Sequence, residues 1–145
     1  MQINIFYQIE MPFYYKKTSL YKKAVLQALG TQKKKFEQIN IVIVSEDTIL
    51  QMNKDFLGHN YITDVITFET PSLINNKICA DIFVCFEQTK RQAIDLGRGI
   101  RVEFLTTIIH GILHLVGYND DTIEKRNKMN AVAESIAENN LKTLK

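Results

Sequence analysis

The stretch His110-Gly-Ile-Leu-His114-Leu-Val-Gly117-Tyr-Asn-Asp120 decides how this chain folds around a candidate site. Two histidines four residues apart lie one turn apart on the same face of a helix. Gly117 can adopt a left-handed backbone conformation that ends the helix and reverses the chain. Asp120 can then return as a third metal ligand. Three protein ligands with one open position are typical of a catalytic rather than a structural zinc site.

The same residues allow plainer interpretations. A histidine among Ile, Leu and Val residues is often a satisfied core residue. Asp120 could instead cap a helix that begins near Thr122. Asp121 is the alternative ligand if the turn is one residue longer. The spacing nevertheless favours one divalent metal ion per chain, with Zn²⁺ as the expected ion, held by His110, His114 and Asp120.

The ligand spacing matches part of the metalloprotease pattern H-E-x-x-H-x-x-G-x-x-H. Gly111 occupies the position at which those proteases carry the glutamate that acts as general base. The sequence therefore favours some other metal-assisted hydrolysis. Gly111 itself indicates either close helix packing or space for a substrate beside the ion, and no general base is visible in this helix.

The composition predicts one domain over residues 1–145. The chain is 46% hydrophobic and 23% charged, which is ordinary for a globular protein that needs no disulfides. No stretch is apolar enough to span a membrane and no signal peptide precedes the first strand, so we expect a cytoplasmic location. Cys79 and Cys85 are predicted to lie six residues apart on one strand, too far apart to bridge.

Positive charge is concentrated near the N-terminus. Residues 1–40 carry seven Lys against Glu10 and Glu37, a net charge of +5, whereas the other 105 residues carry 11 basic and 14 acidic groups, a net charge of −3. A lysine-rich segment can contact nucleic-acid phosphates. A solvated helix face is the alternative, and charge alone does not separate the two.

Hydrophobic periodicity and capping residues predict strands and helices that intermix along the chain. The predicted strands cover residues 3–9, 39–44, 65–68 and 78–86. The predicted helices cover residues 18–29, 46–56, 87–96, 100–116 and 122–144. Thr18 or Ser19 and then Ser45 are the expected caps of the first two helices, and Ile49, Met52 and Phe56 form the inner face of the second. The expected fold is α+β, with a mixed sheet of about four strands and a central metal-binding helix.

Three segments resemble one known family. His110-Gly111-x-Leu113-His114-Leu115-x-Gly117-Tyr118 closely resembles the motif H-G-x-L-H-L-x-G-Y-D-H of the bacterial endoribonuclease YbeY family. Thr-Asp-Val-Ile-Thr-Phe at 63–68 resembles the T-D-V-L-S-F of that family, and Asp81-Ile82 resembles its G-D-I strand opening. The resemblance covers about residues 41–120 in the right order.

The resemblance implies a zinc-dependent endoribonuclease specific for single strands. Such an enzyme would act in maturation of small-subunit (16S) ribosomal RNA and in ribosome quality control. Its partners would be single-stranded RNA and the small ribosomal subunit, together with ribosome-assembly proteins. The metal would act as a Lewis acid, either activating a water molecule or stabilising charge while a 2′-hydroxyl attacks the phosphodiester.

Two positions depart from the family pattern. Asp120 stands where the family carries its third histidine, which keeps a zinc ligand but makes the centre more negative and favours harder ions such as Mn²⁺. Leu57 stands where the family usually carries an arginine. Lys54 is the expected substitute for that cation. His59 is either an ordinary loop histidine or a group that donates a proton or contacts a phosphate.

Three further residues have two interpretations each. Thr63 and Asp64 would contact the bound RNA strand, or would stabilise the turn into their own strand. Glu103 lies two helical turns before His110, so it would support an imidazole N–H or form a salt bridge.

Three other functions compete with the nuclease. The first is a ribosome-associated binding factor with a structural metal and little hydrolase activity. The second is a small metalloprotease, which Gly111 argues against. The third is a structural domain with buried histidines.

Overall fold

The computed structural model describes residues 1–143 and contains, within them, four strands and five α-helices. The strands are β1 (Gln2–Tyr7), β2 (Phe36–Val44), β3 (Val65–Pro71) and β4 (Ile78–Cys85). The helices are α1 (Thr18–Leu29), α2 (Glu46–Leu57), α3 (Phe86–Leu96), α4 (Ile100–Leu115) and α5 (Ile123–Leu141). Short 3₁₀ turns cover Phe13–Tyr15 and Gly30–Lys35.

The strands form one mixed sheet in the order β1-β2-β4-β3. β1 and β4 both run parallel to β2, whereas β3 runs antiparallel to β4. In register, Ile5 pairs with Ile41, which pairs with Ile82, which pairs with Thr67. β2 is central and consists largely of β-branched residues, as expected for a strand buried on both faces. The predicted α+β fold and four-stranded mixed sheet are confirmed.

Helices cover both faces of the sheet. The larger core cluster joins β2 and β4 to α1, α4 and α5, while α2 contributes Ile49 to a smaller cluster on the opposite face. α4 lies in the middle of the larger layer, and every residue from Phe104 to Ile109 is buried. This explains why its sequence is apolar nearly all round. The helix with the histidines is therefore held rigidly by packing.

The predicted helix ends are partly confirmed. Ser45 Oγ accepts a hydrogen bond from Thr48 N at 3.2 Å, and Gly58 ends α2 with a φ of 69°. The predicted cap of α1 by Thr18 or Ser19 is wrong, because Lys17 precedes the first helical residue and makes no capping bond. The Thr18 hydroxyl instead lies 2.9 Å from the Tyr7 hydroxyl, so a tertiary contact takes the place of the cap.

The predicted inner face of α2 is wrong at one residue. Ile49 is fully buried and Met52 packs against the smaller core cluster, but the side chain of Phe56 is 66% exposed. Phe56 lies in the last turn of α2, and its ring meets the Phe68 ring at 5.4 Å between centroids. Phe68 belongs to β3, an edge strand, so this contact leaves much of the Phe56 ring exposed and helical periodicity alone overestimates burial.

Several boundaries shift by a few residues. β2 begins at Phe36, earlier than predicted, and β3 continues through polar residues to Pro71 because it pairs with β4 as far as Ile78. α5 ends at Leu141, whereas the predicted end at Leu144 lies outside the described residues. None of the helices within residues 1–143 is long and apolar enough to cross a membrane.

Candidate active site

A cavity of about 130 Å³ opens between the C-terminal half of α4, the start of β3 and the first turns of α5. Its walls are polar at most positions and include three of the predicted ligands. The lining residues are Asp64, Val65, His110, His114, Asp120, Met129 and Asn130. The structure therefore brings together two imidazoles and two carboxylates at one small opening.

The turn after α4 explains how Asp120 reaches this cavity. Gly117 has a φ of 104°, and the backbone N–H groups of Gly117 and Tyr118 donate to carbonyls of the last helical turn. The chain therefore reverses directly after the histidines. Thr122 caps α5 by accepting from Lys125 N at 3.1 Å. The interpretation of Asp120 as the helix cap is thus wrong, because the neighbouring threonine has that role.

Gly111 sets the distance between α4 and the two strands β3 and β4. A Cβ atom on this residue would lie 2.9 Å from Cγ2 of Ile82 and 3.3 Å from Cγ2 of Val65. Only glycine permits this approach without displacing the sheet. Asp64 directly precedes Val65, so the same close contact brings its carboxylate to the cavity beside His110. The helix-packing interpretation of Gly111 is supported.

His110 presents a metal-binding atom without a protein partner. Its Nε2 is buried and, within the part of the chain that the structure describes, has no hydrogen-bond partner. Burial lowers the pKa of His110, while the Asp64 carboxylate and a hydrogen bond with Asn130 act in the opposite direction. The lowered pKa favours neutral imidazole, the form that binds metals. A buried donor atom left unpaired is costly unless a ligand satisfies it.

The other two predicted ligands are more exposed to solvent than His110. His114 and Asp120 are exposed at the helix end and in the following turn. Among residues 1–143, no three His, Cys, Asp or Glu side chains converge closely enough to hold a metal ion as they stand. The donor set still fits a divalent ion in its chemistry, since the unpaired His110 nitrogen faces a cavity shared with an imidazole and carboxylates.

Glu103 forms an ion pair and does not contact an imidazole. Its side chain is buried, and its carboxylate lies 3.4 Å from Arg98, which also donates to Glu134 at 2.6 Å. Burial raises the pKa of Glu103, and the Asp64 and Glu134 carboxylates raise it further, while Arg98 opposes the shift. Of its two interpretations, the salt bridge is the one observed, with the Glu103 side chain buried and the Arg98 side chain partly exposed.

The remaining predicted residues do not line the cavity. His59 is exposed and stacks on Tyr61, whose hydroxyl lies 3.1 Å from His59 Nδ1. Lys54 is exposed near the end of α2, and Thr63 is half-buried. Asp121 forms an exposed ion pair with Lys125 at 3.5 Å and does not line the cavity.

Two cavity residues were missed by the sequence interpretation. Met129 is buried and Asn130 is half-buried on α5, and both line the cavity. The available signal was the inward stripe of α5 formed by Met129, Ala133 and Ala137, beside which Asn130 lies. That stripe shows which face packs inward, but it does not show that the face reaches the histidines.

Comparison with known proteins places the chain among nucleases. The family model described as Endoribonuclease YbeY matches residues 8–140. A protein named Endoribonuclease YbeY from Elusimicrobium minutum is 40% identical over 132 residues, covering 89% of this chain and 92% of the relative. One of the same name from Bacteroides fragilis is 36% identical and covers 85% of this chain and 86% of the relative.

A solved structure shares the fold. The solution structure of TM1509 from Thermotoga maritima superposes with a TM-score of 0.62 and covers 97% of this chain and 92% of that one. Because the sequence identity is 24%, this similarity supports only a shared arrangement of helices and strands.

Proposed function

The chain belongs to the YbeY endoribonuclease family, and from that premise we propose a metal-dependent endoribonuclease specific for single-stranded RNA. We further propose that it acts in the cytoplasm in maturation of 16S ribosomal RNA and in ribosome quality control, on the small ribosomal subunit and with ribosome-assembly proteins. The observation that carries the metal dependence is the buried, unpaired Nε2 of His110 in a cavity shared with His114 and Asp120.

Under this proposal His110, His114 and Asp120 hold one divalent ion, expected to be Zn²⁺. When bound, the ion supplies Lewis-acid stabilisation of the charge that develops on the scissile phosphate. Asn130 orients the His110 ring, and burial keeps that ring neutral and available.

The opposite wall of the cavity supplies the second polar group. Asp64 faces the histidines from the start of β3 and can accept a hydrogen bond from an attacking water or 2′-hydroxyl. That contact would position the nucleophile, because no carboxylate follows the first histidine in α4. Thr63, which precedes Asp64 in the chain, is proposed to contact the bound RNA strand beside it. Lys54 and His59 lie outside the cavity, so their proposed contacts are with phosphates farther along the strand.

The test is a joint measurement of bound metal and RNA cleavage. Purified parent chain is analysed for metal content and incubated with a single strand and with the duplex of the same sequence. We expect about one metal ion per chain and cleavage of the single strand only, both lost in His114→Ala and weakened in Asp120→Ala. Asp121→Ala is the matched control and retains both. Full cleavage by metal-free His114→Ala contradicts the proposal.

One observation favours a second function. Leu57 is 47% exposed at the position where the family usually carries an arginine, so no cation replaces that side chain directly. A ribosome-associated binding factor with a structural metal and little hydrolase activity is the corresponding alternative. Stoichiometric metal without turnover under Zn²⁺, Mn²⁺ or Mg²⁺, together with tight binding to small subunits, would establish it.

A further inference from the structure

A surface with exposed aromatic rings and unpaired cations lies at the N-terminal end of α4, away from the cavity. We call it the aromatic platform and define it as Phe13, Tyr14, Lys16, Lys17 and Arg101. Phe13 is 82% exposed and Tyr14 is 55% exposed, which is unusual for rings of this size. Exposed apolar rings grouped together typically mark a binding surface.

Each cation of the aromatic platform lies against a ring. Lys17 Nζ is 5.3 Å from the centre of the Phe13 ring, and Lys16 Nζ is 5.2 Å from that of Tyr7. The Arg101 guanidinium lies 4.2 Å from the centre of the Tyr14 ring and donates to its hydroxyl at 2.8 Å. Within residues 1–143, none of these three cations pairs with a carboxylate.

Open depressions border the rings on two sides. One, of about 340 Å³, is lined by Tyr14, Arg101 and Leu141 among others, and the second, of about 400 Å³, by Phe13, Lys16 and Lys17 with the start of α1. Both are open to solvent and both include the segment that carries the rings. A flat base can therefore approach either ring from the side.

The aromatic platform is held in place from beneath. The Tyr15 ring packs on the Phe86 ring at 5.2 Å, and Tyr21 donates from its hydroxyl to the Tyr15 carbonyl. Tyr21 and Phe86 are both buried. The segment is thus anchored in the core, so binding a ligand on its outer side would cost little ordering of the backbone.

The charge of the two regions differs in sign. The cavity contributes Asp64 and Asp120, whereas the aromatic platform contributes three cations, of which Lys16 and Lys17 belong to the segment with net charge +5. A phosphate backbone is repelled by the first when no metal is bound, and attracted by the second. Aromatic rings interleaved with cations are the usual means of binding single strands without sequence preference.

We propose that the aromatic platform binds single-stranded RNA, with bases stacked on Phe13 and Tyr14 and phosphates contacted by Lys16, Lys17 and Arg101. This inference rests on the proposed nuclease function and names where a second part of the substrate is held. Arg101 and His114 are 13 residues apart on α4, so the two regions lie about 20 Å apart along the helix axis.

The test is fluorescence anisotropy with the full chain and a labelled 2′-O-methyl single strand, which resists cleavage by its own hydroxyls. Phe13→Ala should weaken binding at least about fivefold through lost stacking. Lys16→Gln with Lys17→Gln should weaken binding and reduce the slope of log affinity against log salt by about 1.4. Lys33→Gln with Lys34→Gln removes the same charge elsewhere in the segment and should leave the slope unchanged.

The outcomes separate this inference from the nuclease proposal. Equal losses in both lysine pairs with no effect of Phe13→Ala would overturn the aromatic platform and indicate diffuse attraction only. The aromatic platform is also overturned if the parent cleaves RNA but binds the probe no better than Phe13→Ala does. That result does not contradict the nuclease proposal. Retained cleavage in metal-free His114→Ala would instead overturn the nuclease proposal. Circular dichroism checks the fold of each variant.

Discussion

The two ends of α4 differ in charge, exposure and partners. Near its start, Arg101 stacks on an exposed tyrosine, whereas near its end His110 and His114 face a small cavity with two carboxylates. The residues between them are buried in the core. The backbone carbonyls at a helix C-terminus carry partial negative charge and favour cations, and the N-terminus favours anions. A single rigid helix can therefore separate a metal-binding end from a phosphate-binding end.

Removing one predicted metal ligand at the cavity end of α4 should have the largest effect, because it should abolish cleavage without affecting binding at the other end. In His114→Ala we expect cleavage to fall at least about 100-fold, because loss of a ligand should exceed the 10- to 100-fold effect of a supporting residue. Binding of the 2′-O-methyl strand should stay within twofold of the parent, as the aromatic platform is untouched. Cleavage assays and anisotropy on the same preparation measure both quantities.

A small structural change at the cavity end comes next. Gly111→Ala places a methyl group 2.9 Å from Ile82 Cγ2 on β4 and 3.3 Å from Val65 Cγ2 on β3, so α4 must move away from the sheet. We expect a loss of about 1–3 kcal/mol in the free energy of unfolding and weaker metal binding. Gly99→Ala is the matched control at the other end, since its Cβ would meet only Val102 at 4.0 Å. Urea unfolding measures the difference, and equal stability of the two variants would contradict the close-packing argument.

A residue that orients a ligand should have an intermediate effect. Asn130→Ala should lower metal affinity about tenfold, because Asn130 lines the cavity together with His110 and its amide is proposed to hold the imidazole ring. Asn127→Ala, on an exposed part of the same helix, should leave affinity unchanged. Competition with a chelator gives both affinities. If the two variants bind metal equally, Asn130 merely fills the cavity wall.

The smallest expected effect concerns the pH dependence of stability that Glu103 causes in the first turn of α4. The folded pKa of Glu103 lies above the ordinary value of 4.5, so the folded chain holds this proton more strongly than the unfolded chain. Stability from this group is full below pH 4.5 and is lost as the pH rises through the folded pKa. In Glu103→Gln that loss should be absent, so its unfolding free energy relative to the parent should increase above pH 4.5. Glu138→Gln, an exposed control, should show no such trend.

Local sequence signals predicted much of the fold and part of the candidate site. The spacing of His110 and His114, the glycine turn after them and the Ser45 cap all depend on neighbours within a few residues. These contacts follow from helix geometry and backbone preferences. Together with the strand periodicity they suffice for the elements and the sheet.

The local sequence signals did not predict the contacts between segments that are distant in the chain. The sequence of residues 63–68 does not indicate that β3 pairs antiparallel with β4 at the edge of the sheet. This pairing is what brings β3 next to α4. Asp64 reaches the cavity only because Gly111 lets the two elements approach, and Asn130 only because α5 folds back along α4. The exposed position of Phe56 likewise depends on where the sheet ends. Such facts are set by packing, which acts between elements far apart in the chain.

The order of the cavity residues along the chain has a consequence for when the cavity can form during synthesis. Its walls come from position 64 at one extreme and position 130 at the other, with the histidines between them. A polypeptide emerging during synthesis cannot assemble this opening until the first turns of α5 have been made. Premature release at any point before α5 therefore yields a fragment that lacks the complete cavity.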